Sequence, residues 1–215
     1  KFADDGVGYY FDGTGDYLTV PDSADWELSS VSERTFELWV KHTGNPGAET
    51  YFSHYQDGSN YGMFLRYDSN NINFQVYIGA SVLLSINTAS DPITDTNWHH
   101  IALTKNSSDL YTIWADGVDV GNVTDSDNGT VAGSLYIGRR GDASSVLNAY
   151  VDDIRVSDSC RYTTDFSDSL PTVQFTDDAN TLLLINCGEA KSGTTGSGAT
   201  FTAASGAHTV TENGN

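Results

Sequence analysis

The sequence predicts an all-β fold of two packed antiparallel sheets, and three observations carry that prediction. Helical periodicity is nearly absent. Short runs rich in Tyr, Phe, Val, Ile and Thr recur between clusters of Gly, Asn, Asp and Ser, as expected for pleated strands joined by tight turns. More than ten such runs fit within 215 residues. One open twisted sheet rarely holds so many, so two stacked sheets are expected.

Taken in order, residues 9–11 and 17–20 flank the turn Asp12-Gly-Thr-Gly15, and residues 21–28 form a loop with one helical turn near 23–26. Residues 36–41 alternate cleanly, with Phe36, Leu38 and Val40 on one face and Glu37, Trp39 and Lys41 on the other. Strands follow at 50–55, 61–67, 73–78 and 82–86, the first two separated by Asp57-Gly-Ser-Asn60. Residues 98–105 and 110–115 form a hairpin through Asn106-Ser-Ser-Asp109, and Asp116-Gly117, the strongest local hairpin signal of the chain, makes the tight turn into 118–123. A strand at 134–138 leads into the polar loop 139–148 and then a strand centred on Asp152. Residues 171–178 read as a linker and 182–185 as an isolated apolar strand. Residues 192–205 are dominated by Gly, Ser, Thr and Ala, and the chain stops at an Asn-Gly turn, as a piece cut from something longer would.

A formal net charge of -19, from 10 basic and 29 acidic residues, makes nucleic acid and anionic membranes poor partners. No apolar run approaches the length that spans a bilayer as a helix. The opening residues do not form a signal peptide, so either a leader was removed or the chain is a slice of a longer protein. The cysteines Cys160 and Cys187 lack the spacing of a zinc or redox motif. A disulfide in an oxidising compartment and two half-buried free thiols both remain open.

The stretch Ala149-Tyr-Val-Asp-Asp-Ile-Arg-Val-Ser157 places Tyr150, Asp152, Ile154 and Val156 on one face if its alternation is unbroken. That is the more apolar face, so Asp152 is expected to point toward the core. A carboxylate there needs backbone donors, a cation or a wet edge.

Six segments in order resemble the laminin-G-like, concanavalin A-like jelly-roll domains. They are Tyr10-Phe-Asp-Gly-Thr-Gly-Asp-Tyr-Leu-Thr-Val-Pro-Asp-Ser23, Thr35-Phe-Glu-Leu-Trp-Val40, Trp98-His-His-Ile-Ala-Leu-Thr104, Trp114-Ala-Asp-Gly117, Leu135-Tyr-Ile-Gly-Arg139 and Val151-Asp-Asp-Ile-Arg-Val156. The resemblance implies a jelly-roll β-sandwich over residues 1–170. Residues 171–215 would then be a linker and edge strands, folding back on this domain or opening a following repeat like those in tandem phage and viral proteins.

The resemblance also implies a structural calcium ion between the first turn and the late strand, held by Asp152, Asp12, Gly13 and Asp16. A carboxylate beside a Gly-rich turn offers the oxygen ligands calcium takes. Hydrolases on this fold carry Glu-x-Asp-x-x-Glu on one strand, and that pattern is missing here. Glu37 is followed at i+2 and i+4 by Trp39 and Lys41, and His99 and His100 point to opposite faces of a strand. No enzyme is expected.

Sugar binding is the leading expectation, through Tyr55, Asn60, Tyr61 and Arg66 around one turn and Arg140 and Asp142 in a second loop. Aromatic faces pack on apolar sugar faces while amides and carboxylates take the hydroxyls. The expected partners are a cell-surface or polysaccharide glycan and neighbouring domains or subunits of a larger fibre, tail or surface protein, outside a cell or on a virion. The competing reading is a purely architectural virion or surface domain. Arg140-Gly-Asp142 matches an integrin tripeptide by chance, the three Asn-x-Ser/Thr sequons are compositional, and Trp39, Trp98 and Trp114 are expected in the core.

Overall fold

The computed structural model describes residues 8–29, 31–44, 47–126, 129–186 and 208–214. It is a sandwich of two antiparallel sheets. The first runs through β1 (Tyr9–Asp12), β12 (Asn148–Ser157), β3 (Arg34–His42), β8 (His99–Lys105), β9 (Leu110–Ala115) and β10 (Val118–Thr124), with β13 (Thr181–Ile185) also paired to β12. The second runs through β14 (Thr211–Asn213), β2 (Tyr17–Val20), β11 (Ser134–Ile137), β4 (Glu49–Asp57), β5 (Asn60–Tyr67), β6 (Ile72–Ile78) and β7 (Ser81–Asn87).

Strands from the tail thus join both sheets of this chain, β13 against β12 and β14 against β2. Within residues 171–178, expected as a linker, Phe175 is buried against the first sheet and its N–H donates to Asp153 Oδ2 at 3.1 Å, while Val173 is exposed. The Asp116-Gly117 turn takes φ of 48° and 81°, as a tight type I′ hairpin requires. The expected helical turn is a single 3-10 turn, Ala24–Trp26, capped by the Ser23 hydroxyl.

Between the sheets lies the main core, which takes Phe36, Leu38 and Val40 from β3 as the alternation predicts. The face of β12 is a correction. Asp152 stands opposite Trp39 but Arg155 stands opposite Glu37, so β12 carries one extra residue there. Asp153 adopts φ 47° at that bulge. A one-residue insertion reverses the alternation beyond it. Ala149 and Val151 before the bulge, and Ile154 and Val156 after it, all face the core. Asp152 therefore lies on the outer face beside Trp39, not on the core face with Ile154.

That outer face is itself covered. Trp39, Phe175 and Leu184 form a second buried cluster with Trp98 and Leu170 against it. Trp114 packs on Phe166 and donates its indole N–H to Thr104 at 2.8 Å. These tryptophans are sheltered as expected, but under the segment after β12 and not between the sheets.

Phe36 and Phe52 meet edge-on across the sandwich at 5.6 Å between centroids, both fully buried. Phe36→Ala is expected to cost about 3–5 kcal/mol of unfolding free energy. Urea denaturation reads this as a lower midpoint at an unchanged slope, and a loss below about 1 kcal/mol would mean the sheets repack freely.

Candidate functional site

The outer face of the second sheet carries the candidate site. Along β2, β11, β5 and β6 the residues Leu18, Val20, Leu135, Ile137, Met63, Leu65, Phe74 and Val76 point into the core. The alternate residues Tyr17, Tyr136, Phe64, Arg66, Gln75 and Tyr77 therefore point outward. Strand register sets Tyr136 beside Ser53, Ser53 beside Phe64, and Phe64 beside Gln75.

Aromatic rings cross this face in an unbroken series. Tyr17 lies 6.1 Å from Tyr136, Tyr136 6.2 Å from Tyr55, Tyr55 4.8 Å from Tyr61, and Tyr61 6.0 Å from Tyr77. The series covers five strands, or about 19 Å at the usual strand spacing. Tyr17, Tyr55, Tyr77 and Tyr136 are half-buried, whereas Tyr61 is buried.

The loop of residues 139–147 lies over the middle of the series. Its base is closed by Leu147 N–H donating to Gly138 O at 2.8 Å, and its body is tied to β4 by Thr50 N–H donating to Ser145 O at 2.9 Å. Gly141 rests on Tyr55 so closely that a Cβ there would lie 2.1 Å from the ring. The Arg-Gly-Asp tripeptide is thus packed down on the sheet and forms no projecting tip.

Two predicted loop residues meet two predicted strand residues here. Tyr61 donates to Asp142 Oδ2 at 2.9 Å, and Arg140 donates to the Tyr61 hydroxyl at 3.0 Å. Burial and the bond to Asp142 push the Tyr61 phenol up to about 12, so it remains a donor. Burial raises the Asp142 carboxyl, but donation from the Ser144 hydroxyl and N–H and from Tyr61 outweighs it and holds the carboxyl below its usual range. Arg66 reaches the same place, with its guanidinium 5.2 Å from the Phe64 ring centre.

Asn60 does not join them. Its amide donates to both oxygens of Asp57 and its carbonyl accepts from Gly79 N–H at 3.1 Å, so it closes the β4–β5 turn. Sequence reasoning missed Tyr17, Phe64, Tyr77 and Tyr136 as site residues. Period-two alternation alone puts each outward, so the signal was present but indistinguishable from ordinary strand tyrosine and phenylalanine.

The proposed calcium ligands do not converge. β1 pairs with β12 so that Asp12 stands opposite Asn148, four residues from Asp152 and about 13 Å away at the strand rise. Asp12 Oδ1 accepts from the Thr14 N–H and hydroxyl, each at 2.7 Å, and Asp16 Oδ2 accepts from Asp12 N–H. Gly13, at φ 80°, allows the tight turn. Asp152 Oδ1 accepts from Asp153 N–H at 2.9 Å, at the bulge. These four residues do not fit one shared ion. Among the described residues no group of three or more His, Cys, Asp and Glu could hold a metal.

Glu37 is also spoken for. It is fully buried, with Arg155 at 2.7 and 2.8 Å on Oε1 and with His100 at 3.0 Å and Tyr162 at 2.7 Å on Oε2. Burial pushes its carboxyl up, but His100, Arg155 and Tyr162 together hold it below the usual range. His99 faces away from His100 as expected, bonded to Asp116 at 2.7 Å and Asp95 at 3.2 Å. Cys160 is half-buried with its thiol on the Tyr162 carbonyl at 3.3 Å, and Cys187 lies outside the described residues.

A model of the concanavalin A-like lectin/glucanases superfamily, of laminin-G type, matches residues 12–165. None of the curated proteins matches the chain. Among solved structures, a candidate carbohydrate binding protein from Bacteroides ovatus superposes with a TM-score of 0.66 at 14% identity, over 96% of this chain and 59% of that one. A heptameric SAP-like pentraxin from Limulus polyphemus gives 0.54 at 16%, over 79% and 88%. The Ruminococcus gnavus IT-sialidase CBM40 bound to α2,3-sialyllactose gives 0.55 at 13%, over 72% and 90%. At these identities the likeness is one of fold.

Two predictions come from the first sheet. Burial and the neighbouring Asp152 push the Asp153 carboxyl up to about 7. The folded state then holds its proton more tightly than the unfolded chain, so this group's contribution to stability falls as pH rises from about 4 to 7. In thermal unfolding across that range, Asp153→Asn should gain on the wild type as pH rises; a constant difference would refute the shift. Glu37→Gln leaves Arg155 buried without its counter-charge, and about 3–5 kcal/mol should be lost in urea denaturation.

Proposed function

The chain belongs to the concanavalin A-like lectin/glucanases superfamily, and from that membership we propose that it is a non-catalytic glycan-binding module whose site is the outer face of its second sheet. The observation that carries this reading is the series of rings from Tyr17 to Tyr77, in which Tyr17, Tyr136, Tyr55 and Tyr77 are half-buried around the buried Tyr61. Sugar rings have apolar faces that stack on aromatic side chains, and hydroxyls that need fixed polar partners at the edge. Gln75 and Ser85, joined at 3.2 Å, and the loop carboxylate Asp142 supply such partners beside the rings.

Carbohydrate binding by the Bacteroides ovatus protein and by the Ruminococcus gnavus domain, as they are described, supports the same reading. The non-catalytic assignment is supported by Glu37, whose carboxylate is buried under four donor groups and does not reach an open face. The setting we assign is adhesion outside a cell or on a virion, within a larger fibre, tail or surface protein. The net charge of -19 supports it, because such a surface stays in solution and is repelled by anionic membranes.

A glycan array followed by calorimetric titration of the best hit tests the proposal. Tyr136→Ala should weaken that hit about three- to ten-fold, as loss of one stacking ring does. It should leave the unfolding midpoint within a few degrees, since Tyr136 lies outside the core. Equal affinity for wild type and variant, or silence across the array, would overturn the assignment.

A further inference from the structure

Three of the ten basic residues of this acidic chain converge on the proposed site. Each guanidinium lies over an aromatic ring. Arg139 sits 3.4 Å from the Tyr17 centroid and 5.3 Å from that of Tyr136. Arg140 lies 4.9 Å from Tyr61 and 5.1 Å from Phe64, and Arg66 lies 5.2 Å from the same Phe64 ring. Stacking on a ring fixes the plane of the fork before any ligand arrives.

The placement carries an electrostatic cost. Burial lowers the proton affinity of Arg66, and repulsion from Arg140 lowers it further against the pull of Asp68. Neutralisation is incomplete. Arg66 pairs with Asp68 at 2.7 Å, but Arg140 lies 3.4 Å from an Asp142 oxygen that already accepts from Tyr61. Arg139 forms no ion pair among the described residues. The Nε groups of all three are sealed from water without a partner. Three basic residues elsewhere are committed to the fold: Arg155 to Glu37, Arg161 to Asp178, and Lys105 to Asp109 and the Val31 carbonyl.

Building on the glycan-binding reading, we infer that the sugar recognised here is acidic, with a carboxylate placed against Arg139 and Arg140 while its ring stacks on the tyrosines. A carboxylate accepts two parallel hydrogen bonds from a guanidinium fork, which a neutral hydroxyl cannot do. The overall charge of -19 does not forbid this, because at physiological salt its reach is cut to about 8 Å and the arginines are nearer.

Calorimetric titration of the intact chain tests the inference with 3′-sialyllactose against lactose, and trigalacturonic acid against its methyl ester. The two pairs separate a sialic from a uronic source of the same carboxylate. In at least one pair the acid should bind about ten-fold tighter or more, the scale of a charge-assisted pair. Arg139→Gln should bring acid and neutral affinities together, and Arg139→Lys, which keeps charge but loses the planar fork, should recover only part of the preference. Circular dichroism checks that both variants fold. If neutral sugars bind as tightly as acids, or Arg139→Gln and Arg139→Lys both retain the preference, the acidic-ligand inference fails while glycan binding stands. If no sugar on the array or in these pairs binds the wild type, both fail.

Discussion

One extra residue in β12 decides which side of this sandwich is open. Because Asp153 takes a left-handed conformation between Asp152 and Arg155, the strand before and after it can each present apolar residues to the core. The same step turns Arg155 outward against Glu37, where the pair would otherwise lie out of phase. The bulge also falls where the two edge partners of β12 meet end to end, β1 pairing up to Val151 and β13 from Ile154 onward. The ladder loses its regular bonds there, and carboxylates replace them. Asp152 accepts from the next N–H and Asp153 accepts from Phe175 N–H.

That arrangement commits the outer face of the first sheet to structure. A buried cation and carboxylate are stable only when their remaining donors and acceptors are satisfied, and Glu37 reaches that state through His100 and Tyr162 as well as Arg155. Tyr162 and the stacked Phe166 come from the segment after β12, which must cross this sheet to deliver them. Once it does, Trp39, Trp114 and His100 are covered. Among the described residues the second sheet has no comparable lid. There the loop of residues 139–147 lies over part of it, and Tyr17, Tyr136 and Tyr77 stay half-buried.

Most of the strands were legible from sequence because turn residues and period-two alternation are local signals. Phe36, Leu38 and Val40 face the core as their spacing required. The face of Asp152 was not legible, because a bulge changes phase without any distinctive residue type; Asp-Asp reads equally well as two ordinary strand positions. The convergence of Tyr55, Tyr61, Arg140 and Asp142 was visible in outline as two polar segments of the right composition. What joined them was a tertiary contact, Gly141 on Tyr55, that no sequence period reports. Asn60 was misjudged for a related reason. Its amide can serve a ligand or a turn, and only the positions of Asp57 and Gly79 decide which.

The two faces together explain how an acidic chain comes to hold arginines where it does. A guanidinium inside a fold needs either a carboxylate or an aromatic surface to replace lost hydration. On the first sheet the carboxylates of Glu37 and Asp178 serve that purpose and neutralise what they hold. On the second sheet rings do most of it, and a ring shields a cation without cancelling its charge. Tyr17, Tyr136, Tyr61 and Phe64 therefore keep Arg139 and Arg140 ordered and still positive at the surface. A fold-stabilising role alone would be met as well by a carboxylate, as it is a sheet away. Retaining the charge above an aromatic floor is the arrangement that suits an incoming anion.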